Sequence, residues 1–148
     1  MKTLTLLFSF FIIISSCNTN NPNENEDGQV PLKSEIQKWE LVRMTGSMVN
    51  SETVGDAMEW QEYYLFNPNG SFEKQRVHNG TTTKATGSYE LIVQEEEKYF
   101  ELTYKTGKTL IANCANNEKE ILVFNGEILY ATWNACDGPG LEYRLVKE

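Results

Sequence analysis

The side chains in this chain that could do chemistry are few and scattered. His78 is the single histidine of the 148 residues, and it stands beside Asn79-Gly80, a turn pair, where an imidazole is ordinarily solvated. The cysteines are Cys17, Cys114 and Cys136. A Cys-His nucleophile needs a free thiolate within reach of the imidazole, and all three cysteines have another use, set out below. Zinc needs three or four ligands, which one histidine without free thiolates does not supply. Glutamate is abundant, but no spacing singles out a pair for acid-base work, and residues 95–97 read as a solvated acidic turn. The expectation is a chain without catalytic residues, metal or cofactor, and so not an enzyme. What remains is binding: Arg43 and Arg76 as polar anchors, and the rings Trp39, Trp60, Tyr64, Tyr104 and Trp133. The competing assignment is core packing for the rings and surface or cross-strand pairing for the arginines, since side chains usually fill a small barrel.

The two ends of the chain differ in kind. Lys2 precedes an apolar run over residues 4–14, broken only by Thr5 and Ser9. A bilayer span needs roughly 20 apolar residues, so residues 1–16 read as a signal peptide that is removed. Directly behind it, Ile14-Ser15-Ser16-Cys17 resembles the lipobox of bacterial lipoproteins, an aliphatic residue and two small ones before a cysteine. That resemblance implies that Cys17 is diacylated and becomes the new N-terminus, held to its membrane by the acyl chains. Residues 17–31, rich in Asn, Glu, Pro and Gly, hold too little apolar surface to offset the entropy of ordering and read as a flexible tether. Within it, residues 23–28 imitate the start of an EF-hand loop, but Ser34 stands where the bidentate Glu is required. The formal net charge of −8 argues against a nucleic-acid partner, which needs basic clusters.

Residues 32–148 have the length of one domain. Short alternating runs rich in Tyr, Phe, Val, Ile and Thr recur between turn signals, an all-β pattern. The capping pair Ser34 and Gln37 predicts a short helical turn before it. Strands are expected over 39–44, 60–67, 71–78, 86–93, 99–105, 109–113, 121–124, 127–133 and 141–147, with 46–55 as a long loop. Asn67-Pro68-Asn69-Gly70 predicts a type I turn with a G1 bulge. Its register sets Phe66 opposite Phe72, Tyr64 opposite Lys74 and Glu62 opposite Arg76, so one face mixes rings with opposite charges.

Asn125-Gly126 predicts a second hairpin, with Phe124 opposite Glu127, Val123 opposite Ile128 and Leu122 opposite Leu129. Carried outward, it sets Cys136 one position from Cys114, which in an oxidising compartment predicts a Cys114–Cys136 disulfide. About nine strands joined by tight turns suggest an antiparallel up-and-down meander, closed into a barrel so that no edge is exposed; a β-sandwich is the rival.

The order Trp39-Glu40-Leu41, then residues 62–66 running through Asn69-Gly70-Ser71-Phe72, then Thr86-Gly87-Ser88-Tyr89, resembles the lipocalin-like domains of small lipoproteins in Gram-negative bacteria. The likeness covers most of the chain after the tether, although Gln37 stands where full lipocalins carry the glycine of Gly-x-Trp. It implies a lipocalin-like barrel and, by analogy, a place for a small apolar or amphipathic ligand. The expected protein is an outer-membrane lipoprotein facing the periplasm or the cell surface. Its expected partners are the membrane, through Cys17, and either a small hydrophobic ligand or an envelope protein. In the first case Arg43, Trp60, Tyr64, Arg76, Tyr104 and Trp133 are the binding candidates; in the second the barrel is filled and serves interaction or structure.

Overall fold

The computed structural model describes residues 35–115 and 117–147. The expected signal peptide, Cys17, the tether and Ser34 lie outside the described residues. Among the described residues nine strands follow in chain order: β1 (Gln37–Thr45), β2 (Thr53–Val54), β3 (Gln61–Phe66), β4 (Ser71–His78), β5 (Thr81–Gln94), β6 (Glu97–Thr106), β7 (Lys119–Asn125), β8 (Ile128–Ala131) and β9 (Gly140–Leu145). All pairings are antiparallel, each of β3 to β9 lies beside its chain neighbour, and β1 closes the sheet by pairing with both β3 and β9. The result is an eight-stranded closed barrel, with β2 added alongside the end of β1. Closure removes the free sheet edges that a meander of this size would otherwise present.

Alternation along each strand decides what fills the barrel. Trp39 and Leu41 on β1, Tyr64 and Phe66 on β3, Phe72 on β4, Phe100, Leu102 and Tyr104 on β6, Leu122 and Phe124 on β7, Leu129 on β8, and Leu141 and Tyr143 on β9 are all buried. The first hairpin has the expected register, Phe66 with Phe72, Tyr64 with Lys74 and Glu62 with Arg76. Gly70 takes the left-handed conformation at φ 81°. Gly87 sits at a register shift in β5, where a Cβ would come within 2.0 Å of the Thr103 carbonyl oxygen and 2.6 Å of Phe72. The bare backbone there lets the strand coil tightly enough to close the barrel.

The structure corrects several expectations. Gln37 opens β1 instead of closing a helical turn, and Glu35 and Ile36 are not helical. The strand expected over 109–113 is replaced by a 3-10 turn, Lys108–Leu110, entered through Gly107 at φ 65°. Its Leu110 carbonyl accepts a hydrogen bond from the Lys74 ammonium, so it is satisfied by a core side chain rather than by a ladder. The 46–55 loop contains β2, and β5 begins at Thr81 rather than at residue 86. In the second hairpin Asn125 pairs with Ile128, Phe124 with Leu129, Val123 with Tyr130 and Leu122 with Ala131. The left-handed Gly126 (φ 67°) is thus the first loop residue, not the second. The slip keeps every side chain on its expected face. Cys114 and Cys136 stand at disulfide distance with Cα atoms 5.5 Å apart, Cys136 being carried there by a 3-10 turn, Trp133–Cys136.

Candidate functional site

The unusual feature of the interior is its charge. Glu62, Lys74 and Glu120 have fully buried side chains, and Arg76 is largely buried beside them. They come from β3, β4 and β7, each placed inward by the same alternation that buries the neighbouring rings. Two carboxylates face two cations, so the formal charges cancel, as a low-dielectric site requires.

Lys74 is the hub. Its Nζ lies 3.3 Å from Glu62 Oε1, donates to Glu120 Oε1 at 3.3 Å and to the Leu110 carbonyl at 2.8 Å, and sits 4.8 Å from the centre of the Tyr64 ring. Three phenols complete the carboxylates. The Tyr64 hydroxyl donates to Glu120 Oε1 at 2.8 Å, that of Tyr104 to Glu120 Oε2, and that of Tyr143 to Glu62 Oε1 at 2.6 Å. Arg76 Nε donates to Glu62 Oε2, and its guanidinium lies 4.2 Å from the centre of the Trp60 ring. Arg76 Nη2 and Trp60 Nε1 are buried without a hydrogen-bond partner among the described residues.

Burial pushes the phenols of Tyr64, Tyr104 and Tyr143 above their ordinary value, and the adjacent carboxylates add to the effect. Burial likewise raises Glu120, against the opposing pull of Lys74 and of the Tyr104 hydrogen bond. Proton donors and acceptors are therefore within reach of one another, but all four carboxylate oxygens are engaged by the protein.

The sequence-derived candidates divide on this frame. Trp60, Tyr64, Arg76 and Tyr104 come together in the interior network. Arg43 points outward and pairs with Glu52 and Glu142. Trp133 lies beyond the end of β8, packed where a Cβ on Gly138 would meet its ring at 2.3 Å. His78 is half-exposed, 3.6 Å from Glu59. Lys74, Glu62, Glu120 and Tyr143 carry the network without having been singled out. The signal for the first two was the hairpin register, which already set charges beside rings. For Glu120 and Tyr143 it was parity, since each shares its strand face with buried leucines.

The outside of the barrel offers two further features. Ile92 pairs with Tyr99, Tyr99 with Val123 and Val123 with Tyr130, forming an in-register apolar row across the outer face of β5, β6, β7 and β8. A hollow of about 320 Å³ at one mouth is lined by Trp39, Phe124, Gly126, Glu127, Arg144, Leu145 and Lys147. Among the described residues no group of three or more His, Cys, Asp or Glu is placed to hold a metal. No family model, curated protein or solved structure matches this chain.

Proposed function

We propose that this chain is an outer-membrane lipoprotein, acylated at Cys17, whose barrel is a non-catalytic interaction module that works through its outer surface. The likeness to lipocalin-like lipoproteins supports the membrane address, and the observation that carries the mode of action is the row Ile92, Tyr99, Val123 and Tyr130. These residues are only partly covered, they lie on four adjacent strands, and in-register pairing fixes their spacing. A contiguous apolar row on an acidic, charged surface is the kind of patch that marks a protein contact. The filled interior supports the same reading, because a barrel packed with its own side chains is a rigid platform. A photo-crosslinking residue at position 99 or 130 should capture a discrete envelope protein in living cells, whereas one at Thr82, near the start of β5 and ten residues from Ile92, should not. Identical adducts from both positions would refute the assignment. Metabolic labelling with an alkyne fatty acid, lost in Cys17→Ser, tests the anchor separately.

A second reading, binding of a small apolar or amphipathic ligand, draws on the hollow over Trp39, Phe124 and Leu145. It places the ligand at the barrel mouth, since an interior site would have to displace the Lys74 network.

A further inference from the structure

The mouth that holds this hollow is the one at which β1 begins and β9 ends, so the chain coming from Cys17 joins the barrel there. The floor is apolar: Trp39 and Phe124 meet edge to face with ring centres 6.1 Å apart, and Leu145 lies opposite Trp39 in the β1–β9 register. Trp39 Nε1 is already satisfied by Gln37 Oε1 at 3.2 Å, so the floor presents rings rather than an unmet donor.

The lip is cationic in a chain that is otherwise acidic. Elsewhere Lys38, Arg43, Lys84, Lys108 and Lys119 are each paired with a glutamate. Arg144 and Lys147 are exposed and, among the described residues, make no ion pair, although Glu127 lines the same hollow. Glu40 faces Arg144 across the β1–β9 register but is paired with Lys38, so the described charges at the lip, Arg144 and Lys147 against Glu127, leave a positive balance. The acidic remainder of the molecule weighs little there, because exposed charges beyond a Debye length of roughly 8 Å are screened at physiological salt. A volume of about 320 Å³ lies at the small end of ligand sites, enough for a single chain rather than the paired chains of a bilayer lipid.

We infer that this mouth binds a single-chain anionic amphiphile, its tail over Trp39, Phe124 and Leu145 and its head group between Arg144 and Lys147. The inference rests on the small-ligand reading and narrows it to one place and one charge.

The chain from residue 17 onward, with Cys17→Ser so that no acyl group is attached, keeps every described strand and suits solution NMR. Titration with dodecanoate below its micellar concentration should give saturable shifts at the Trp39 indole N–H and at the amides of Gly126 and Leu145. The indoles of Trp60 and Trp133, at the opposite end, should stay still. Dodecyl maltoside, with the same tail and a neutral head, should bind about tenfold more weakly, as should dodecanoate to Arg144→Gln/Lys147→Gln, through loss of a charge-assisted contact. Both substitutions are on exposed side chains, so an unchanged spectrum of the free variant certifies its fold. Equal affinity for the two amphiphiles, or shifts centred elsewhere, would overturn the inference while leaving small-ligand binding intact. No saturable shift with either compound would overturn both.

Discussion

Towards the mouth formed by the β3–β4, β5–β6 and β7–β8 turns, the barrel is packed with rings. Phe66 stacks on Phe100 at 4.9 Å, Tyr89 meets Phe66 edge-on at 4.8 Å, and Trp39 meets Phe124. Towards the other end, the same alternation delivers Glu62, Lys74, Arg76 and Glu120 to the interior, with Tyr64, Tyr104 and Tyr143 between them. The apolar half gains free energy from each ring removed from water and is indifferent to pH. The polar half gains little from burial, and its members hold one another in place. Its parts are worth much in company and cost much alone.

Alkali should separate the halves most sharply. The three buried phenols have raised pKa values, whereas unfolded tyrosines ionise near 10. Above that pH the folded state binds more protons than the unfolded one, so stability that is fully present below pH 10 is lost as pH rises. The slope is about 1.4 kcal/mol per pH unit for each phenol, about 4 kcal/mol for the three together, enough to unfold an ordinary domain within a few units. Urea titrations between pH 9 and 11.5 measure it. Tyr143→Phe should remove about a third of the slope, and an unchanged slope would mean that this phenol is solvated.

The next largest effects test the mutual dependence directly. Lys74→Met leaves Glu62 and Glu120 buried without their common cation and should cost about 3–5 kcal/mol. Phe100→Ala in the apolar half should cost a similar amount, about 3–5 kcal/mol, through the cavity it leaves. The two losses differ in how they are repaired. Replacing the rest of the network as well, with Glu62→Leu, Glu120→Leu and Arg76→Met and with Tyr64, Tyr104 and Tyr143 changed to Phe, should recover most of the stability, because an ion network replaced as a whole by apolar groups is often neutral. No second truncation beside Phe100 can do the same. A fully apolar variant less stable than Lys74→Met alone would show that the network stabilises more than its apolar replacement.

The Cys114–Cys136 link closes the polar end across a sequence separation of 22 residues. Replacing both cysteines by serine should cost about 3 kcal/mol by loop entropy. Its effect on the alkaline slope should be small if the phenols are held by their own hydrogen bonds.

The two halves also differ in how far the sequence reveals them. The rings announce themselves by alternation, and the 67–70 turn fixes the register that unites Phe66 with Phe72 and Glu62 with Arg76. The Lys74–Glu120 contact joins strands far apart in the chain and comes into being only when the barrel closes, which no local pattern reports. Turn chemistry misleads in one place. Asn79-Gly80, with both residues at positive φ, forms the two-residue hairpin loop between His78 and Thr81. Asn125-Gly126, the same dipeptide, instead gives up its Asn to β7. A dipeptide supplies the permitted backbone, and the strands that flank it choose the register. The 109–113 segment fails for a tertiary reason as well, since Lys74 takes the Leu110 carbonyl.

The smallest expected effect concerns a single carboxyl group. Burial raises Glu120 above its ordinary value of 4.5 despite Lys74. A carboxyl raised in the folded state binds its proton more tightly there than in the unfolded chain. Its contribution is therefore present below about pH 4.5 and is lost as pH rises through the folded value, the opposite of a carboxylate stabilised by its ion pair. Stability should slope downward by at most about 1.4 kcal/mol per pH unit over that window, against the rise expected from surface carboxylates. Glu120→Gln keeps the size and an acceptor for one of the Tyr64 and Tyr104 hydroxyls, and removes the titration. It will be less stable at every pH because Lys74 loses a partner, so the informative quantity is the difference in slope. Between pH 4 and 7 the variant should gain stability with pH faster than the parent protein. If it gains more slowly, Lys74 outweighs burial at Glu120, and the polar half is held by its ion pairs more than by the exclusion of water.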